Sequence, residues 1–130
     1  MQGSDDATEY RSHVLDIYGA HLHVATNHEQ WKALRGRVKK LPKQADSLGL
    51  TCIRTMVTPD DRHIPVLAFY VDALAHREDV VELVDTCAHE AAHGAGMLLD
   101  HIGQPYAGTP EHHAYLVGWL ARWLFDAATA

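Results

Sequence analysis

Along the chain, apolar and polar positions alternate in ways that mark six elements. In VLDIYGAHLHVAT (14–26), Ile17, Leu22 and Val24 are strand formers, and Gly19 marks a bulge within a single strand. TNHEQWKALRGRVKKL (26–41) repeats Trp31, Leu34, Val38 and Leu41 at helical spacing. Thr26 or Asn27 caps that helix and Pro42 ends it. LTCIRTMV (50–57), the turn TPDDRH (58–63) and IPVLAFYVDA (64–73) read as a hairpin. Pro65 suits a strand start or an edge, and the unbroken apolar run 66–71 predicts a strand covered on both faces. A long helix follows from about Arg77 to Ile102, with Val80, Val84, Cys87, Ala91, Ala95, Leu98 and Ile102 as its core stripe. Gly103 and Pro105 stop it. Thr109 and Pro110 open a last helix that reaches about Asp126.

The predicted order is strand, helix, strand, strand, helix, helix. It implies an α+β fold: a small mixed three-stranded sheet, a backing helix, a long helix and a C-terminal helix. Residues 1–12 read as a flexible leader and 13–130 as one domain, an ordinary size for a single core. No apolar run is long enough to span a bilayer. The N-terminus lacks a basic and an apolar region, so a cytoplasmic protein is expected. Cys52 and Cys87 are too few for a disulfide framework.

The net charge of −6 argues against general nucleic-acid binding. One stretch departs from it: Lys32, Arg35, Arg37, Lys39, Lys40 and Lys43 fall close together. They form either the solvated face of a helix or a patch for phosphate or an acidic partner. His21 and His23 share a strand face, either as a solvent-facing pair or as half of a metal site with no evident third partner.

The densest chemistry lies in CAHEAAHGAG (87–96), where His89-Glu90-Ala-Ala-His93 forms an H-E-x-x-H motif. With 11 histidines in 130 residues, random placement gives such a motif in roughly one chain in 25, so context must decide. On a helix His89 and His93 stand roughly 40° apart and can grip one ion together. Glu90 flanks them, where a base takes a proton from a water on the metal. Cys87 points roughly 200° away from His89 and is not a ligand.

Catalytic zinc needs a third protein ligand and an open fourth position. Glu111, in TPEHHAYLVGWL, opens the next helix 18 residues after His93 and is the preferred third ligand; His112 is its main rival, with His113 behind it. Asp100 and His101 follow His93 on the same helix, but Asp100 misses the H-E-x-x-H-x-x-G-x-x-H/D spacing by one. Gly94, Gly96, Ala114 and Gly118 are expected to let the two helices approach closely.

With H-E-x-x-H on one helix and a glutamate on the next, the chain resembles the gluzincins. The likeness is nearest to the very small minigluzincins and to short phage- and prophage-encoded H-E-x-x-H proteins that carry an E-x-x-A-Y helix, as EHHAY (111–115) does here. The resemblance implies a minimal zincin-like fold and a zinc metallopeptidase. His89, His93 and Glu111 would bind Zn2+, and Glu90 would activate the zinc-bound water that hydrolyses the peptide bond. It also implies a peptide or protein substrate lying along an edge strand, Thr51–Val57 or else Pro65–Tyr70. If the chain is phage-encoded, its place is the cytoplasm of the bacterial host.

The likeness has one departure. Larger gluzincins carry an Asp four residues after the glutamate ligand, where this chain has Tyr115. Asp85 or Asp100 would then orient a zinc histidine. Tyr106, His112 and Tyr115 are the candidates to bind substrate or steady the oxyanion. Two other functions share these residues: a non-catalytic, zinc-stabilised phage or prophage interaction protein, and a regulatory peptidase that cuts one repressor.

Overall fold

The computed structural model describes residues 9–43, 48–103 and 110–130. Its elements are β1 (Arg11–Leu15), β2 (Ala20–Ala25), α1 (His28–Arg35), β3 (Gly49–Val57), β4 (His63–Val71), α2 (Val80–His101) and α3 (Pro110–Thr129). The strands form one mixed sheet in the order β1-β2-β4-β3, with β2 and β4 parallel and the other two pairings antiparallel.

The sheet therefore has four strands and not the expected three. The segment 14–26 is not one strand with a bulge. It holds a hairpin turn at 16–19, where Tyr18 and Gly19 bond back to Leu15 and Asp16 and Gly19 takes φ 63°. Glycine enters that left-handed region without a steric penalty. β1 also takes in Arg11 and Ser12, which the sequence pattern left in the leader. Its burial is too slight to give a hydrophobic signal, because four of its five residues are exposed.

Alternation along β2 and β4 sends side chains to two cores. On one face, Trp31 and Leu34 of α1 pack with Val38, Leu41, Val66, Ala68 and Tyr70. On the other, α2 and α3 bring Leu98, Leu99, Leu120 and Leu124 onto Leu22, Leu67 and Phe69. Every residue from Val66 to Val71 is fully buried, in keeping with a strand covered on both sides. Pro65 is paired with Thr55 of β3, while the pairing of β4 with β2 begins only at Val66. The proline thus needs no donor on the β2 side.

Helix ends follow local chemistry. Asn27 caps α1 by accepting from the Gln30 N–H at 2.8 Å, and the Gln30 side chain accepts from the Thr26 N–H at 2.8 Å. Asp79 caps α2 by accepting from the Glu82 N–H at 3.0 Å. The helix expected over 26–41 stops at Arg35, and Lys40 has φ 68° in the turn that follows. Val38 and Leu41 stay buried all the same. The inner stripe of α2 also differs from expectation: Leu83 is buried, whereas Val80 and Val84 are more than half exposed. No helix among the described residues is long and apolar enough to cross a membrane.

Candidate metal and hydrolytic site on α2

α2 buries Leu83, Cys87, Ala91, Gly94, Ala95 and Leu98. At roughly 100° per residue, this turns His89 and His93 outward, and both are exposed. Their Nε2 atoms stand 3.1 Å apart, with ring centroids at 4.6 Å and ring planes at 78°. At that distance one ring donates its Nε2–H to the other's lone pair. Two imidazole nitrogens at about 2.0–2.1 Å from one tetrahedral zinc lie about 3.3 Å from each other. The pair thus has the bite of two ligands to a single small cation.

Glu90, one position on, turns the other way. It is 6% exposed and sits in the crease between α2 and the start of β3. Its Oε1 accepts from Thr51 Oγ1 at 2.5 Å, and the same hydroxyl lies 3.2 Å from the Glu90 carbonyl oxygen. Gly49 makes room for it, since a Cβ there would lie 2.8 Å from Glu90 Oε2 and 2.9 Å from Thr86 Cγ2. Neither Thr51 nor Gly49 was singled out from the sequence, because a contact across 39 residues leaves no local periodicity. A glycine opening an apolar strand was the available clue, since it often marks a close approach.

The other predicted residues are more dispersed. Glu111 and His112 are exposed in the first turn of α3, His113 is half-buried, and Tyr115 is 76% exposed. Tyr106 lies outside the described residues. α2 runs on from His93 to His101, a rise of roughly 12 Å, before α3 begins. Among the described residues, no three His, Cys, Asp or Glu side chains form a group that could hold a metal. The structure therefore joins His89 with His93, and does not bring Glu111 into a cluster with them. Asp85 and Asp100 are exposed on α2.

Of the glycines expected to let the two helices approach, Gly94 faces Leu120 of α3 but is tightest against the sheet. A Cβ at Gly94 would lie 2.6 Å from Phe69 Cζ, so this residue lets α2 settle on the sheet. A Cβ at Gly96 or Gly118 would meet nothing within 4 Å.

Both cysteines belong to the cores. Burial, with Glu90 adding to it, pushes the Cys87 thiol up to about 11. Burial also raises Cys52, against the pull of Arg54. His21 and His23 share one face of β2 and are both half-buried. His23 Nδ1 lies 2.8 Å from Ser12 Oγ, and burial, then His21 and Arg37, lowers its pKa to about 4.

Of the two strands considered for substrate, β3 is an edge and β4 is interior. β4 has neighbours on both sides and no free backbone ladder over Val66–Tyr70. A cavity of about 630 Å3 opens near Asn27, His76, Arg77 and Leu83, and neither His89 nor His93 lines it. No protein-family model, curated protein or solved structure matches this chain.

Proposed function

We propose that the chain is a zinc-dependent peptidase, with His89 and His93 as two metal ligands and Glu90 as general base and acid. The observation that carries this reading is the 3.1 Å separation of the two Nε2 atoms, with the Glu90 carboxylate held at the edge strand one residue on from His89. Glu111 is the third ligand that the motif spacing and the resemblance to gluzincins imply; it stands apart from the pair in this structure and would have to close on them when the metal binds. A zinc ion held there supplies Lewis acidity toward a carbonyl oxygen and makes a water more acidic.

The chain's own residues do the rest. An extended peptide lies along the open edge of β3, where backbone groups can pair with it. Glu90 Oε2 takes a proton from the attacking water and then delivers it to the leaving amine. Thr51, by donating to Oε1, is a positioning residue that aims the other oxygen.

Glu90→Gln tests the reading. With zinc content unchanged, turnover of a mixed peptide library, read by mass spectrometry, should fall by about 100-fold or more. Full activity in the variant overturns it. The outward exposure of the histidine pair also suits a second reading, a metal that links the chain to a partner without catalysis. In that case zinc raises the melting temperature, and neither wild type nor Glu90→Gln cleaves any peptide.

A further inference from the structure

The basic segment after α1 takes no part in the site above. Helix α1 ends at Arg35, so Arg37, Lys39 and Lys40 sit on a turn and not along a helical face. All three are exposed. The turn packs against the far end of β3: Arg37, Lys39, Thr55 and Val57 help line a cavity of about 210 Å3. Arg54 reaches the same corner from β3, where its Nε donates to the Lys40 carbonyl at 3.0 Å. Among the described residues the one ion pair is Arg62–Asp60, and no described carboxylate pairs with Arg37, Lys39 or Lys40. The chain as a whole carries −6, yet this corner gathers several cations.

We propose that this corner selects acidic side chains in a peptide extended along β3. The proposal rests on the reading of β3 as the edge that receives substrate. The cavity is several times a water's share of liquid volume, room enough for a carboxylate with its hydration. A peptide, and not a nucleic acid, is the fitting polyanion, because among the described strands β3 is a sheet edge, and over Thr51–Val57 an extended chain can ladder onto it. Glu90 meets β3 at Thr51, and the cations lie at Thr55–Val57. At about 3.3 Å per residue, the acidic positions fall roughly 13–20 Å, or four to six residues, from the bond held at Glu90.

The test is binding without turnover. A random dodecapeptide display library is panned over the immobilised Glu90→Gln chain at ~50 mM and ~500 mM salt. The bound pool should be enriched in Asp and Glu by about three- to tenfold over a pool bound to Arg37→Gln/Lys39→Gln. High salt should shrink the enrichment. Both substituted residues are exposed, and an unchanged melting temperature confirms that the double variant folds. Equal pools from the two proteins, or an absence of acidic enrichment, overturn the proposal. So does displacement of the selected peptides by a roughly twenty-nucleotide thymidine strand at the concentration of an acidic peptide, which marks a general polyanion surface. A chain that captures acidic peptides yet cleaves none would sink the peptidase reading and leave this one standing.

Discussion

Thr51→Val removes one hydroxyl and nearly keeps the side chain's shape. In the folded chain that hydroxyl donates to Glu90 Oε1 at 2.5 Å, and both residues are at least nine-tenths buried. Without it, a buried carboxylate oxygen loses a partner that water cannot easily replace. Hydrogen bonds to charged groups contribute about 1.5–3 kcal/mol. A chain of 130 residues has an unfolding entropy of roughly 0.27 kcal/mol/K near its midpoint. The expected fall in melting temperature is therefore about 6–11 °C by calorimetry at neutral pH. Thr51→Ser keeps the donor and should lose less than about 1 kcal/mol, the worth of a methyl group. In a Glu90→Gln background the Thr51→Val loss should shrink toward about 1 kcal/mol, because the acceptor is then neutral. If Thr51→Val melts within about 1 °C of wild type, Thr51 does not hold Glu90, and its positioning role falls.

Three other outcomes follow from the packing. Gly94→Ala should destabilise by about 1–3 kcal/mol in urea unfolding, since the new Cβ meets the Phe69 ring, whereas Gly96→Ala and Gly118→Ala should stabilise by up to about 1 kcal/mol each. His23, held at about 4 in the fold against about 6.5 in the unfolded chain, contributes nothing above pH 6.5. As pH falls from 6.5 to 4 the unfolded chain binds a proton that the fold refuses, so stability drops. For a half-buried ring that loss is about 1–2 kcal/mol, and His23→Gln should flatten it in melts between pH 7 and 4. Burial keeps Cys87 and Cys52 protonated at pH 8, so a thiol reagent should label both only after unfolding.

The sequence was most legible where one residue type has one local job. Asn27 and Pro110 placed two helix starts to within a few residues, and the apolar run in β4 announced its burial on both sides. The H-E-x-x-H spacing was enough to bring His89 and His93 together on one face. It failed where tertiary context outweighed pattern. Gly19 fits a bulge as well as a turn until the pairing of Leu15 with Ala20 is known. Val80 and Val84 share the helical period of the true core residues, but lie off the sheet because Leu83 points at it. Val38 and Leu41 continue the stripe of α1 from a turn, so periodicity overstated the helix. The Thr51–Glu90 contact is non-local and leaves no periodicity, only the glycine that opens β3.

The central claim is that His89 and His93 bind one cation which Glu111 joins, and X-ray absorption of the chain loaded with one equivalent of zinc tests it most directly. The account predicts two imidazole ligands that fall to one in His89→Ala or His93→Ala, and a carboxylate oxygen that is lost in Glu111→Ala. A spectrum unchanged by either histidine substitution would place the metal elsewhere and contradict the site. One unchanged by Glu111→Ala would remove the third ligand.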